Sequence, residues 1–349
     1  MNNFSLTRQD TQVIKGIAIS AMLFHHLYGD PPVGVEPYSG LLMWLGILGK
    51  VCVALFLFCS GYGLSAGYKS QFILDDVKFV VRRLVKFYYN YWMIFFIFVP
   101  ISIFVFHRPL TDAYGDNANI FMSLFRDILG WQGFESYNVT WWFNKLIIIL
   151  YLLFPFIYRM VKLMPIVALI ASMMIIRLEH HFPVSSFHIY TYQLPFVLGI
   201  LYKIYEEKFS KMYSRLSDNK IIFGIISITL LSIAVGLRIY PIIPHWSGTR
   251  MEGFISCATA LVVVSVIRYM RYLKTLLSFL GQHAINIYMT HTFYMYWFPY
   301  FLHSSEYMRK GLNIILLMII CITISVLIEQ IKERLGLNRQ VTNLTGLLK

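Results

Sequence analysis

Charge is what this chain has least of. Only 13% of its 349 residues are charged and only 17 are acidic, whereas 58% are hydrophobic and the mean hydropathy is +0.62. A soluble domain runs nearer half apolar and a quarter charged. So much apolar surface cannot be hidden inside one globule that still presents a wettable exterior. This excludes a soluble enzyme, a disordered regulator and a nucleic-acid-binding module. Nor is there a P-loop, a dinucleotide fingerprint, an internal repeat or a heptad run, which argues against ATP-driven transport. Cysteine is scarce too: Cys52, Cys59, Cys257 and Cys321 all lie in apolar runs and read as small buried hydrophobes, so neither a disulfide framework nor a metal site is expected. The first apolar run, interrupted by Lys15 and His25-His26, lacks a convincing small-residue cleavage site and is read as a retained span.

What is present is a series of apolar segments. A spanning helix needs about 20 mostly apolar residues. Ten candidates cover 12–29, 41–66, 87–106, 141–158, 163–176, 190–204, 221–238, 253–270, 275–299 and 313–331. The expected fold is therefore an all-α polytopic membrane protein of about ten helices, with residues 1–349 as one membrane domain. If the N-terminus is cytoplasmic, the inside segments carry 21 Lys and Arg and the outside segments 7. Basic residues gather on the cytoplasmic side, so both termini are placed there. Trp44, Trp131, Trp141, Trp142, Trp246 and Trp297 fall near the outer ends, as an aromatic belt would. The longest loop, 107–140, is expected to form a small outer cap.

Ionisable groups inside spans are functional candidates. Lys15 and His26 are eleven residues apart, about three turns plus 20°, and share one helical face; His25 lies about 80° away. A snorkelling lysine with an interfacial histidine is the plainer account of such a pair. Lys50 must face protein or a water-filled cavity, and His291 is expected at about the depth of His26, which together suggest a polar chamber opening outward. Arg83 and Lys86, three apart, project from one face and suit phosphate oxygens; the topology signal also explains them, but not the Tyr/Asn run that follows. Ser60, Gly61 and Gly63 permit close helix packing.

At these residues the chain resembles the acyltransferase-3 family of ten-helix membrane acyltransferases. Lys15-Gly16-Ile17-Ala18 with Phe24-His25-His26 has the family's basic residue, ten intervening residues and histidine. Phe56 to Tyr62 matches the close of its second span, and Arg83-x-x-Lys86 its basic pair. Trp142-Phe143 opens the fourth span, and Gly281 to His291 gives the late histidine motif. Two departures stand out: lysine replaces arginine at Lys15 and Lys86, which loses the bidentate fork, and Asn144-Lys145 stands where many members carry an acid.

The resemblance implies acyl-CoA, most often acetyl-CoA, as donor substrate, with no permanently bound cofactor. The acceptor is a hydroxyl of a cell-surface or capsular polysaccharide or lipid-linked glycan beyond the cell membrane. It casts His26 as the catalytic base, oriented by Asp30 or Glu252, or as the nucleophile of an acyl-enzyme. Lys15, Arg83 and Lys86 become the head-group site, with Arg82, Arg268, Arg271 and Lys274 in reserve. Lys50, Ser60, Trp142, Asn144 and His291 become substrate-binding residues. A glycolipid or solute transporter also fits a polar chamber with buried lysines, and cleavage of the donor separates the two.

Overall fold

The computed structural model describes residues 5–30, 40–115, 119–178, 189–217, 220–239, 248–299 and 307–347. Trp246 and the side chain of Glu252 lie outside them. The described residues form helices joined by short turns, with no strand among them. Each of the ten apolar segments falls on a helix. Four helical stretches are long and apolar enough to cross a membrane: Leu41–Gly67, Ile73–Phe104, Val139–Leu163 and Gly311–Arg334.

The first helix, α1 (Arg8–Phe24), starts at a capping box. Thr7 Oγ1 accepts from the Asp10 amide at 3.1 Å, and Asp10 Oδ2 accepts from the Thr7 amide at 2.8 Å. Asp10 is buried and receives both arms of Arg268, Nη2 at 2.6 Å and Nε at 3.1 Å. Arg268 is thereby committed to holding the start of α1 and is not a spare phosphate ligand.

After α1 come α2 (Leu41–Leu48) and α3 (Cys52–Gly67), joined by a tight 3-10 turn at Gly49–Val51. Next is α4 (Ile73–Phe104), which begins fourteen residues before the expected third span. Arg82, Arg83 and Lys86 are thus helical, and Arg83 and Lys86 lie on the helix whose face was expected to carry them. The remaining helices are α5 (Leu110–Tyr114), α6 (Ile120–Ile128), α7 (Trp142–Leu163), α8 (Pro165–Leu178), α9 (Ile189–Ile204), α10 (Glu206–Ser217), α11 (Lys220–Ile239), α12 (Gly248–Ile267), α13 (Arg271–Trp297), α14 (Tyr307–Arg334) and α15 (Leu337–Gly346). α10 and α15 occupy stretches read as loop and tail; both are polar overall, so hydropathy alone passes over them.

Several elements pack backbone to backbone, among them the π-turn His25–Gly29 and α2, at Gly29 and Gly46, and the two helix pairs that follow. A Cβ at Gly16 would sit 2.0 Å from the Leu277 carbonyl oxygen, and one at Gly281 1.9 Å from that of Gln12. This brings α1 and α13 together. Gly61 and Gly199 do the same for α3 and α9, at 2.1 and 2.2 Å from the carbonyls of Phe196 and Phe58. Gly63, expected to share that role, faces open space.

Loop 107–140 folds down against the middle of α4. Tyr88 donates to the Leu129 carbonyl at 2.9 Å, Tyr91 to that of Asp127 at 2.5 Å and Trp92 Nε1 to that of Ile128 at 2.8 Å. The aromatic run after Lys86 therefore anchors this cap. At its centre Asp127, wholly buried, accepts from Tyr114 Oη at 2.8 Å and the Tyr137 amide at 2.6 Å. Trp141, expected in an interfacial belt, is instead core, its Nε1 donating to the Met289 carbonyl at 3.1 Å.

Candidate active site

α1 is regular to Phe24 and then widens into a π-turn over His25–Gly29, closed by the Asp30 amide donating to the His25 carbonyl at 2.9 Å. Such turns re-aim side chains that a regular helix would line up, and they concentrate at functional sites. Here one holds two neighbouring histidines, ring centroids 5.1 Å apart. His25 lies at the chamber's edge, buried with Nδ1 2.9 Å from the Gly46 carbonyl. His26 is half-buried and faces a cavity of about 120 Å³ that Asp30, Lys50, Thr140, Trp142 and Tyr192 also line. Lys50 stands on the 3-10 turn between α2 and α3, so two irregular turns meet at this histidine chamber.

The His26 ring lies against His291 of α13, centroids 5.1 Å apart. His291 is wholly buried and lines neither chamber. Its Nδ1 sits 2.9 Å from the Tyr288 carbonyl and 3.2 Å from that of Ile287. Two carbonyls can only accept, so Nδ1 carries the hydrogen and Nε2 is left as an acceptor without a partner. His291, expected among the substrate-binding residues, lies against His26 and lines neither chamber.

The second cavity, about 260 Å³, runs beside Lys15 and is lined by Gln12, Ser60, Asn144, Tyr151 and Gly281 among mostly apolar walls. Phe56, Phe143 and Tyr288 line both cavities and form an aromatic neck between them. Tyr288 Oη donates to the Thr140 carbonyl at 2.9 Å and stands 3.2 Å from Asn144 Oδ1. Lys15 and His26 thus occupy the two chambers on either side of the neck, as their shared helical face requires.

The other sequence candidates divide. Lys50 and Trp142 line the histidine chamber, and Ser60 and Asn144 the Lys15 chamber. Arg83 leans over the Phe79 ring at 5.0 Å and lies within electrostatic range of Tyr151, which lines the Lys15 chamber. Lys86, the other member of the expected phosphate pair, is exposed and lines neither chamber. Lys145 is buried with its ammonium 5.6 Å from the Trp131 ring centre.

Sequence reasoning passed over Gln12, although it lies one turn before Lys15 on the same face, a spacing that could have drawn attention to it. It also passed over the neck, whose members come from three helices. A separate polar cluster joins α4, α13 and α14. Buried Lys332 donates to Glu329 at 2.7 Å, to Asn286 at 3.1 Å and to Asn90, and lines neither of the two chambers.

Among protein families, the model described as an acyltransferase domain matches residues 10–330, nearly the whole chain. No curated protein and no solved structure matches the chain.

Proposed function

The chain belongs to the acyltransferase-3 family of membrane acyltransferases, and from that premise we propose that it moves an acyl group, acetyl in the first instance, from cytoplasmic acyl-CoA to a hydroxyl of an extracytoplasmic glycan or glycolipid. The observation that carries this reading is the meeting of the two chambers at Phe56, Phe143 and Tyr288, with Lys15 in one and His26 in the other. A donor with a charged head and a long arm needs such a layout when head and acceptor lie on opposite sides of a barrier. The gathering of basic residues in the segments on the Lys15 side supports the direction: head group inside, acceptor outside.

In this reading Lys15 and Arg83 attract the phosphates, and the arm passes the neck to place its thioester beside His26. The acceptor hydroxyl oxygen attacks the thioester carbonyl carbon while the neutral imidazole takes the hydroxyl proton. Lys50 supplies positive charge where the carbonyl oxygen becomes an oxyanion. The adduct collapses by breaking the carbon–sulfur bond. The proton then passes from His26 to the departing sulfur, so that CoA leaves as the thiol. His291, its Nδ1–H committed to backbone, holds the ring of His26 in place from behind.

Sealed vesicles holding the protein in one orientation test this. Labelled acetyl-CoA supplied to the Lys15 side should release CoA thiol there and put label on glycan at the opposite face. Movement of a glycan or solute with the donor left intact would refute acyl transfer and leave the carrier reading.

A further inference from the structure

Two residues that line the Lys15 chamber each carry a buried polar atom with no partner among the described residues. Asn144 is wholly buried; Tyr288 meets one atom of its amide, and the other, Nδ2, has no partner. Gln12 holds a buried Oε1 that is equally unpartnered. Both residues line the same cavity. Buried polar groups are nearly always paired, so each such orphan needs an explanation. Turning the Asn144 amide over does not remove the problem. The Tyr288 hydroxyl, which gives its hydrogen to the Thr140 carbonyl, engages whichever atom faces it, and one donor or acceptor of the amide is still left without a partner among the described residues.

The rest of the lining says what kind of ligand would meet them. Apart from Lys15, Ser60, Tyr151, Gln282 and Tyr288, the remaining side chains are apolar. A sugar would turn many of its hydroxyls to those apolar side chains, and a fatty chain would leave both amides unmatched. A chain of methylenes interrupted by polar groups matches both. The orphans also stand apart. Gln12 touches α13 at Gly281 and Asn144 at Tyr288, seven residues further on, or about 10 Å of helix. Asn144 is at the neck and Gln12 at the far end.

We infer that the Lys15 chamber reads the pantetheine arm: Asn144 pairs with the amide nearest the thioester, and Gln12 with the polar groups of the pantoyl end. The inference rests on the acyl-CoA reading above and adds to it two residues that select this arm. Each ligand amide carries both a donor and an acceptor, so Asn144 can pair with it in either orientation.

Truncated donors separate the two roles. Acetyl-pantetheine keeps both groups, whereas S-acetyl-N-acetylcysteamine keeps only the amide next to the thioester. Affinities of the purified full chain for each come from the concentration dependence of thermal stabilisation. Asn144→Leu, close in shape to the native side chain, should weaken both ligands on the order of tenfold. Gln12→Met should weaken acetyl-pantetheine by a similar factor and leave the cysteamine thioester unchanged. Asn144→Ala gives a second variant at the buried position if the leucine does not fold. An equal loss on both ligands for Gln12→Met, or no loss on either for a folded Asn144 variant, overturns the inference while leaving acyl-CoA binding intact. A wild-type protein stabilised by neither thioester, nor by acetyl-CoA, overturns the acyl-CoA reading with it.

Discussion

The two chambers share a helix and a neck but are built on opposite plans. The histidine chamber is small, about 120 Å³, and crowded with ionisable groups: His25, His26, Asp30 and Lys50 all line it. The Lys15 chamber is about twice as large, at about 260 Å³, and Lys15 is the one charged residue among those lining it; its other polar contributors include Gln12, Ser60 and Asn144. In the proposed reading, groups that exchange protons sit where little else fits, and groups that recognise a shape are spaced along a longer, greasier wall. α1 serves both because its π-turn ends the regular stripe just where the requirement changes.

The sharpest way to break that contrast is to remove His26. His26→Ala should lower the rate of acyl transfer on the order of 10²–10⁴-fold and leave acyl-CoA affinity nearly unchanged, because the proposed phosphate site lies some three turns away. His25→Ala should cost stability through its lost contact with the Gly46 carbonyl, with little direct effect on chemistry. Single-turnover rates and binding isotherms on equal amounts of folded protein check both. Affinity falling in step with rate would merge the chambers into one functional site.

A change on the other side should do the converse. Lys15→Ala should weaken acyl-CoA on the order of 10- to 100-fold, the worth of a charge-assisted hydrogen bond, with a much smaller effect on acetyl-pantetheine, which lacks the charged head. Lys15→Arg should bind at least as well as wild type, since the fork suits phosphate oxygens. Equal losses on charged and uncharged donors would remove Lys15 from the head-group site.

The smallest effect concerns the cap, which supplies Phe134 and Thr140 to the histidine chamber alone. Burial pushes the Asp127 carboxyl up to about 6 from its ordinary 3.8, and its hydrogen bonds from Tyr137, Tyr114 and Tyr91 only partly offset this. The folded protein therefore holds this proton more tightly than the unfolded chain between about pH 4 and 6. Its contribution favours folding at the acid end of that window and declines as pH rises through it. Relative to Asp127→Asn, the wild-type Tm should fall by on the order of a few degrees between pH 4.5 and 7. A rise over that range would reverse the assignment. Asp10 behaves oppositely: burial pushes its carboxyl up, but Arg268 and Thr7 outweigh that and hold it below its usual range, so its contribution is lost only in stronger acid.

How much of this was legible depended on how far apart the partners lie. Apolar runs are local, and each expected segment falls on a helix. The Lys15–His26 face is also local and survives the π-turn because the regular part of α1 carries the register to Phe24. The start of α4 was misplaced because Arg82, Arg83 and Lys86 lower the local hydropathy, although Arg83 is directed at Phe79 within the protein. The Tyr/Trp run on α4 had no local explanation; its acceptors lie 36 to 41 residues away in the cap. The chamber walls are likewise assembled from six helices, α1, α3, α4, α7, α9 and α13, so the neck becomes visible only once those helices are packed.

The contact of Gly16 with Leu277 and of Gly281 with Gln12 restricts how anything can travel past α1. A carrier passes bulky cargo by parting its walls on one side and then on the other, which requires slack between helices. Where backbone rests on backbone there is none, and α1 with α13 acts as a stator. Traffic along this pair then depends on side chains at the neck swinging aside and on a traveller slender enough to thread between them. The moving part of the machine would be the substrate's own tether.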